Sequence, residues 1–192
     1  MLFWGTGDRA NPKNETIINR IYALKDSGVS APLTPADLYD ATQNLVQDGT
    51  EAEQEAALIS LASLDGWYVE LDEHAGEKVL APSIVYAGAV YLTTFTPTAG
   101  SDIDPCYVGE GMARLYALDY LTAAAVLNFD TSTEGLHKSD RYQLIGTAIP
   151  SGVVIGLVRG RAASFIGVGG GIFTGGMVNP MALTRLYWRA VS

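Results

Sequence analysis

Cysteine is almost missing from this chain: Cys106 stands alone among 192 residues. One thiol closes no disulfide within the chain, and there is no C-x-x-C pair to hold zinc. Histidine is nearly as scarce, with only His74 and His137, both in turn-rich stretches. No H-x-x-x-H or G-x-S-x-G motif is present, so zinc-protease and serine-hydrolase readings have no anchor. Cations are few: 12 Lys and Arg face 21 Asp and Glu, for a net charge of −9 and a pI near 4.5. A phosphate backbone would be repelled by such a surface. The short cluster Arg159-Gly160-Arg161 does not offset that, and nucleic acid is excluded as a partner. No apolar run is long enough to span a bilayer. The glycine run Gly167–Gly171 lacks the Lys-Ser/Thr that a phosphate loop requires.

What is plentiful is apolar and turn-forming residues. The chain is 48% hydrophobic and 17% charged, which places it outside the disordered class. Its length suits one well-buried domain covering residues 1–192. Gly at 21 residues and Tyr at 10 fit many strands joined by turns better than a helical bundle. Gly88–Phe129 shows the plan. Ala89–Thr94 and Arg114–Asp119 are rich in Tyr, Val, Leu and Thr and read as strands. Between them lie the turn formers Pro97, Gly100, Asp102, Asp104, Pro105, Gly109 and Gly111. Tyr120–Ala123 reads as a tight turn into a strand over Ala124–Phe129. Strand, turn and apolar strand in this order are how one antiparallel blade of a β-propeller is often written.

Further strands are expected over Leu2–Thr6, Thr16–Lys25, Gly66–Leu71, Arg141–Pro150, Gly152–Val158, Ala162–Phe173 and Ala182–Val191. Met1–Gly5 runs straight into a strand with no signal peptide in view, a start expected of a piece of something longer. Gly5–Ala10 matches G-x-G-x-x-A, but Pro12 stands where the dinucleotide-binding helix would run, so a strand end with a glycine turn is expected. Asn14-Glu15-Thr16 is a glycosylation sequon by pattern only. Trp67 and Tyr68 are expected as core or inter-blade anchors. Val29–Leu64 differs in character. Thr34-Pro35-Ala36-Asp37 has an N-cap, a proline at the first helical position and an acid in the first turn. Short helices are expected over Pro35–Ala41 and Glu51–Ala62, forming an insertion on one side of the blades. The binding surface is expected on the loops Asp8–Glu15, Val29–Leu64 and Thr96–Gly111.

Three segments echo each other: Arg20-Ile21-Tyr22-Ala23-Leu24, Arg114-Leu115-Tyr116-Ala117-Leu118 and Arg185-Leu186-Tyr187-Trp188. Their tyrosines are 94 and 71 residues apart, nearer two blades than one at roughly 40–50 residues per blade. The fold class expected is all-β, with propeller-type blades in a partial or incomplete ring and a small helical insertion at about 29–64.

Residues 2–26 (LFWGTGDRANPKNETIINRIYALKD), 66–98 (GWYVELDEHAGEKVLAPSIVYAGAVYLTTFTPT), 104–130 (DPCYVGEGMARLYALDYLTAAAVLNFD) and 145–156 (IGTAIPSGVVIG) together resemble the C-terminal β-propeller of the PilY/PilC family of type IV pilus tip-associated proteins. The most specific parts are F-W-G-T-G, T-F-T-P-T followed by D-P-C, and G-T-A-I-P-S-G. The resemblance spans nearly the whole chain apart from Val29–Leu64. It implies an exported, cell-surface, pilus-associated protein that promotes pilus assembly, counteracts retraction and adheres to surfaces. Family members carry a variable N-terminal region ahead of the propeller, so that region or a separate chain would complete this one. Pilin subunits or minor pilins are the implied partners, and no catalysis is attached to the propeller.

Family propellers can carry a calcium loop. Here Asp130, Ser132 and Glu134, with Gly135 at the sixth position, are the nearest candidate. Arg141 stands at the twelfth position in place of Glu, and Lys138 falls where a shorter loop wants a closing Asp. Asp102 and Asp104 are a weaker second option. The alternative function is a quinoprotein-like dehydrogenase fragment, because R-L-Y-A-L-D-x-x-T also resembles the blade repeat of pyrroloquinoline-quinone enzymes. Ala123 replaces the glycine that continues that repeat. A lone cysteine and a partial ring also speak against a quinone site. Cys106 has no basic neighbour to activate it and reads as structural, or as paired outside the chain. Asp72/Glu73 and Asp102/Asp104 read as solvated turns.

Overall fold

The computed structural model describes residues 1–26, 28, 32–98, 111–159 and 161–178. These are mostly β, in three sheets with two α-helices. The first sheet contains β1 (Leu2–Gly5), β2 (Arg20–Leu24), β3 (Tyr39–Asp40) and β4 (Gly66–Glu70). β1, β2 and β4 are antiparallel, and β3 lies parallel to β4 at the edge. The second sheet contains β5 (Lys78–Val79), β6 (Ile84–Tyr86), β7 (Ala89–Thr96), β8 (Met112–Asp119) and β9 (Tyr142–Thr147), all antiparallel. β5 and β6 both pair with β7. Pro82 lies in the gap between them, where its missing N–H could not have joined the ladder. The third sheet is a meander of β10 (Val154–Val158), β11 (Arg161–Val168) and β12 (Gly171–Gly176).

The second sheet is the middle layer, and strand alternation shows why. Every residue of β7 is buried. Val90 and Leu92, with Tyr116 and Leu118 of β8, join Ile21, Ala23, Trp67 and Val69 of the first sheet in one core. Ala89 and Tyr91, with Ala113, Leu115 and Ala117, join Ile166 of the third sheet in another. Period-two alternation sends successive side chains to opposite faces, so a strand buried at every position is one packed on both faces. Trp67, fully buried, anchors the first core and donates from Nε1 to the Tyr120 carbonyl at 3.2 Å.

The segment 32–64 is more closely built into the molecule than an insertion would be. Pro35–Asp37 is one 3-10 turn, after which Tyr39–Asp40 joins the first sheet, so the helix expected over Pro35–Ala41 gives way to strand. α1 (Leu45–Asp48) and α2 (Glu51–Ser63) follow. α2 starts on a capping box: Thr50 Oγ1 accepts from the Glu53 amide, and the Glu53 carboxylate accepts from the Thr50 amide at 2.8 Å. Its far end is capped by Lys25, whose Nζ donates to the carbonyls of Leu61 and Leu64 at 2.6 Å. Ala41 and Leu61 both enter the first core.

Other expectations shift in detail. Only Leu118↔Ala125 forms a bridge in the stretch expected as strand Ala124–Phe129, because Val126, Leu127 and Phe129 instead pack as loop against the second core. The Ala162–Phe173 stretch is a hairpin, with Val168 opposite Gly171. Gly169 and Gly170, at φ of 55° and 80°, make the two-residue turn in which both central residues need positive φ. After Gly5 and Gly7 the chain enters turns, with no helix. The described residues form no closed ring. Cys106, the Asp102/Asp104 pair, the Ala182–Val191 stretch and most of the Thr96–Gly111 loop lie outside the described residues.

Candidate functional site

A polar cluster sits where the first and second sheets meet. Thr94, Arg114 and Tyr116 project on the same face as Val90, Leu92 and Leu118, at the far end of β7 and the start of β8. The turn Asp72–Gly76 delivers Glu77 against them. Glu77 is fully buried. Its Oε1 accepts from Thr94 Oγ1 at 2.5 Å and from the Tyr116 hydroxyl at 3.1 Å. Its Oε2 lies 3.0 Å from His74 Nδ1 and 3.8 Å from an Arg114 terminal nitrogen. Arg114 donates to Thr96 Oγ1 at 2.6 Å, and its guanidinium lies over the Tyr142 ring at 5.5 Å. Burial, then the Glu77 charge, pushes the Tyr116 hydroxyl well above its ordinary range. A buried carboxylate needs such partners, since desolvation costs several kcal/mol per ion.

A small cleft of about 20 Å³ opens beside this cluster, lined by Val69, Leu71, Glu73, Tyr116, Arg141 and Tyr142 among others. Glu73 Oε2 accepts from the Tyr142 hydroxyl at 3.2 Å, and Glu73 Oε1 pairs with Lys138 Nζ at 3.0 Å. Burial raises the Glu73 carboxyl, but Lys138 and Tyr142 outweigh it and hold it below its usual value. Burial, with the Glu73 charge, pushes Tyr142 up to about 12. Arg141 is 2% exposed. It donates to the carbonyls of Ala41 and Thr42 and to Asn44 Oδ1, while its Nε has no partner. Burial lowers its pKa to about 10, so it remains cationic at neutral pH. Asn44 reaches Arg141 from a left-handed backbone, φ 57°, a conformation Asn tolerates better than most residues.

Chemically this arrangement holds charge and offers little of it outward. Glu77 is matched on both oxygens, and Arg141 clamps the segment 41–44 to the start of β9. Asp48 extends the clamp, accepting from the Lys138 amide at 2.8 Å and lying 2.7 Å from His137 Nδ1. Gln47 adds a two-way bond with the Ala125 backbone, 2.9 Å in each direction.

The calcium candidate fares differently. The Asp130 carboxylate turns back on its own loop, accepting from the amide and hydroxyl of Ser132, and these bonds hold its pKa below the usual value. Glu134 contributes its backbone carbonyl to His137 Nε2 at 2.8 Å. Among the described residues no three His, Cys, Asp or Glu side chains are grouped to hold a metal ion.

His74 and His137 do lie in turns, but each is partnered by a carboxylate rather than free on the surface. Likewise Glu73 is tied to Lys138 and Tyr142, so only half of the Asp72/Glu73 pair is a plain solvated turn. The Asp8–Glu15 loop is pinned from below: Lys78 Nζ donates to the carbonyls of Pro12 and Asn14 at 2.7 and 2.6 Å. Glu77, Arg141 and Asn44 were not singled out from sequence. A signal existed for Glu77-Lys78 and for Arg114, which are charges inside β-patterned stretches at positions whose neighbours two residues away are apolar.

Among the described residues no helix is long and apolar enough to cross a membrane. Comparison with protein-family models, with curated proteins and with solved structures finds no match to this chain.

Proposed function

We propose that this chain is a propeller portion of a type IV pilus tip-associated factor, acting without catalysis in pilus assembly and in surface or partner binding. The observation that carries the reading is the joint occurrence of F-W-G-T-G, T-F-T-P-T with D-P-C, and G-T-A-I-P-S-G in one chain, each resembling the PilY/PilC propeller. The layered arrangement supports it. Three mostly antiparallel sheets stack through two cores, and the segments that carry the resemblance include the hairpin-paired strands β1–β2 and β7–β8. Propellers are likewise built by repeating small sheets side by side. On this reading the protein is exported, acts at the cell surface, meets pilin or minor pilin subunits and needs further blades to complete its ring.

Deleting the gene, then shearing and quantifying surface pili and probing the sheared fraction for this chain, tests the proposal. Loss of surface pili with the chain in the sheared fraction is the expected result. Normal piliation with the chain absent from that fraction overturns it and brings forward the quinoprotein-like alternative.

A further inference from the structure

Among the described residues no further sheet covers the two outermost faces of this stack. On the first sheet, Ile21 and Ala23 of β2 point into the first core, so Arg20, Tyr22 and Leu24 point away from it. On β8 the equivalent residues are split in the same phase. Leu115 and Ala117 face the third sheet, while Arg114, Tyr116 and Leu118 face the first. The Arg-x-Tyr-x-Leu face of β8 is therefore covered by a preceding sheet. The same face of β2 is built in the same way and has no sheet over it, only the segment Leu33–Leu38 beside Trp4, Tyr22 and Leu24.

That open face carries an aromatic ridge. Trp4, Tyr22 and Tyr68 lie in register across β1, β2 and β4. Trp4 stacks on Tyr22 at 5.3 Å, and Tyr22 meets Tyr68 at 6.2 Å. Leu2 beside it is 64% exposed. The outward face of the third sheet is of the opposite shape. Ser164 and Ile166 of β11 are buried against the second sheet, which turns Phe165 outward, with Val154 its register partner and Ile172 one pair along. Val154 and Ile172 are 62% and 75% exposed. Gly156, Gly167 and Gly176 share that face, leaving smooth ground for a ridge. Two apolar sheet faces left open on one molecule are unusual for a monomer.

Charge divides along the same axis. Residues 1–71, which build the first sheet and both helices, hold eleven acids and four bases; the described residues 142–178 hold Arg159 and Arg161 and no acid. A contact between two first-sheet faces would set like charges together, whereas a third-sheet face against a first-sheet face brings opposite charges together. We propose that the occupant of each open face is a second copy of this chain, the third sheet of one copy stacking on the first sheet of the other. Two copies engage both faces at once and close a six-sheet stack. That size lies within the roughly four to eight sheets of propeller rings, and a head-to-tail contact that closes in this way makes a discrete pair and not a fibre. The proposal rests on the stacked-blade reading and not on a role in pili.

Sedimentation equilibrium of the whole chain at micromolar concentrations tests it. The expected mass is that of two chains, falling to one chain for Tyr22→Glu and for Ile172→Glu. Mixing these two variants restores a pair through their intact faces, an outcome that only a head-to-tail contact gives. Reversing the exposed charges Arg159→Glu and Arg161→Glu, which leaves the cores untouched, weakens pairing on the order of tenfold or more. That keeps the test decisive even if a face variant fails to fold. A single-chain mass for the native sequence, an open-ended ladder of masses, or a pair indifferent to Ile172→Glu overturns the proposal. A single-chain mass alongside loss of pili on deletion would sink the pairing and leave the pilus reading standing.

Discussion

Glu77 offers the sharpest test of how the first two sheets are joined. Replacing it with Ala removes the acceptor of Thr94 and Tyr116 and the carboxylate nearest to Arg114, which is only 6% exposed. Breaking a buried charge pair from one side costs about 3–5 kcal/mol, because the remaining charge stays desolvated. Arg114 keeps its bond to Thr96 and its place over Tyr142, which argues for the middle of that range, about 4 kcal/mol. Against a total stability of about 5–15 kcal/mol, this is a large fraction. Glu77→Gln retains an acceptor for Tyr116 and Thr94 but loses the charge, and about 2 kcal/mol is expected. The double variant Glu77→Leu/Arg114→Met removes both charges. It should recover about 2 kcal/mol relative to Glu77→Leu alone, the remaining cost being the unpaired hydroxyls of Thr94 and Tyr116. Urea unfolding curves with an unchanged slope measure all of these. A cost below about 1 kcal/mol for Glu77→Ala, or a further loss on adding Arg114→Met, would refute the view that Glu77 and Arg114 compensate each other's burial.

Two further outcomes follow from geometry already described. Hydrogen bonds to Asp48 and to the Glu134 carbonyl raise the His137 pKa above its ordinary 6.5. Its contribution to stability is therefore fully present below 6.5 and lost as pH rises through the higher folded value, so the gap between native protein and His137→Gln should be widest between about pH 4.5 and 6 and close towards alkaline pH; a gap that widens with pH rejects the pairing. Gly66, at φ 150°, would place a Cβ 1.9 Å from the Ala23 carbonyl oxygen, whereas Gly170, at φ 80°, has nothing within 4 Å. Gly66→Ala should cost about 3 kcal/mol or more and Gly170→Ala about 1 kcal/mol, and equal shifts in Tm would contradict the packing of β4 on β2.

The strands β7 and β8 were legible because their signal is local: runs rich in Tyr, Val, Leu and Thr, bounded by turn formers. The second helix was legible from the helix-prone run Glu51–Ala62, with its acids at the front. What could not be read was long-range. Tyr39–Asp40 sits in a sequence with helix-start chemistry, and only the free edge of β4 makes it a strand. Val126–Phe129 is as apolar as a strand, yet it meets the second core side-on and has no ladder to join. In the Gly167–Gly171 run, composition announced special backbone angles without saying which two glycines would turn. The buried cluster was half visible. A charged Arg114 within an apolar strand marks a buried charge, but its partners Glu77 and Tyr142 come from 37 residues earlier and 28 later in the chain, and nothing local points to them.

Layering has a consequence for how the molecule opens. Among the described residues one core joins each outer sheet to the middle one, so the amides are not protected equally. Those of β7 and β8 can exchange with solvent only when both cores have parted, whereas β1 and β12 are released by the loss of one. Opening therefore begins at either end independently and reaches the middle last, and whatever covers an outer face slows the escape of the strands beneath it.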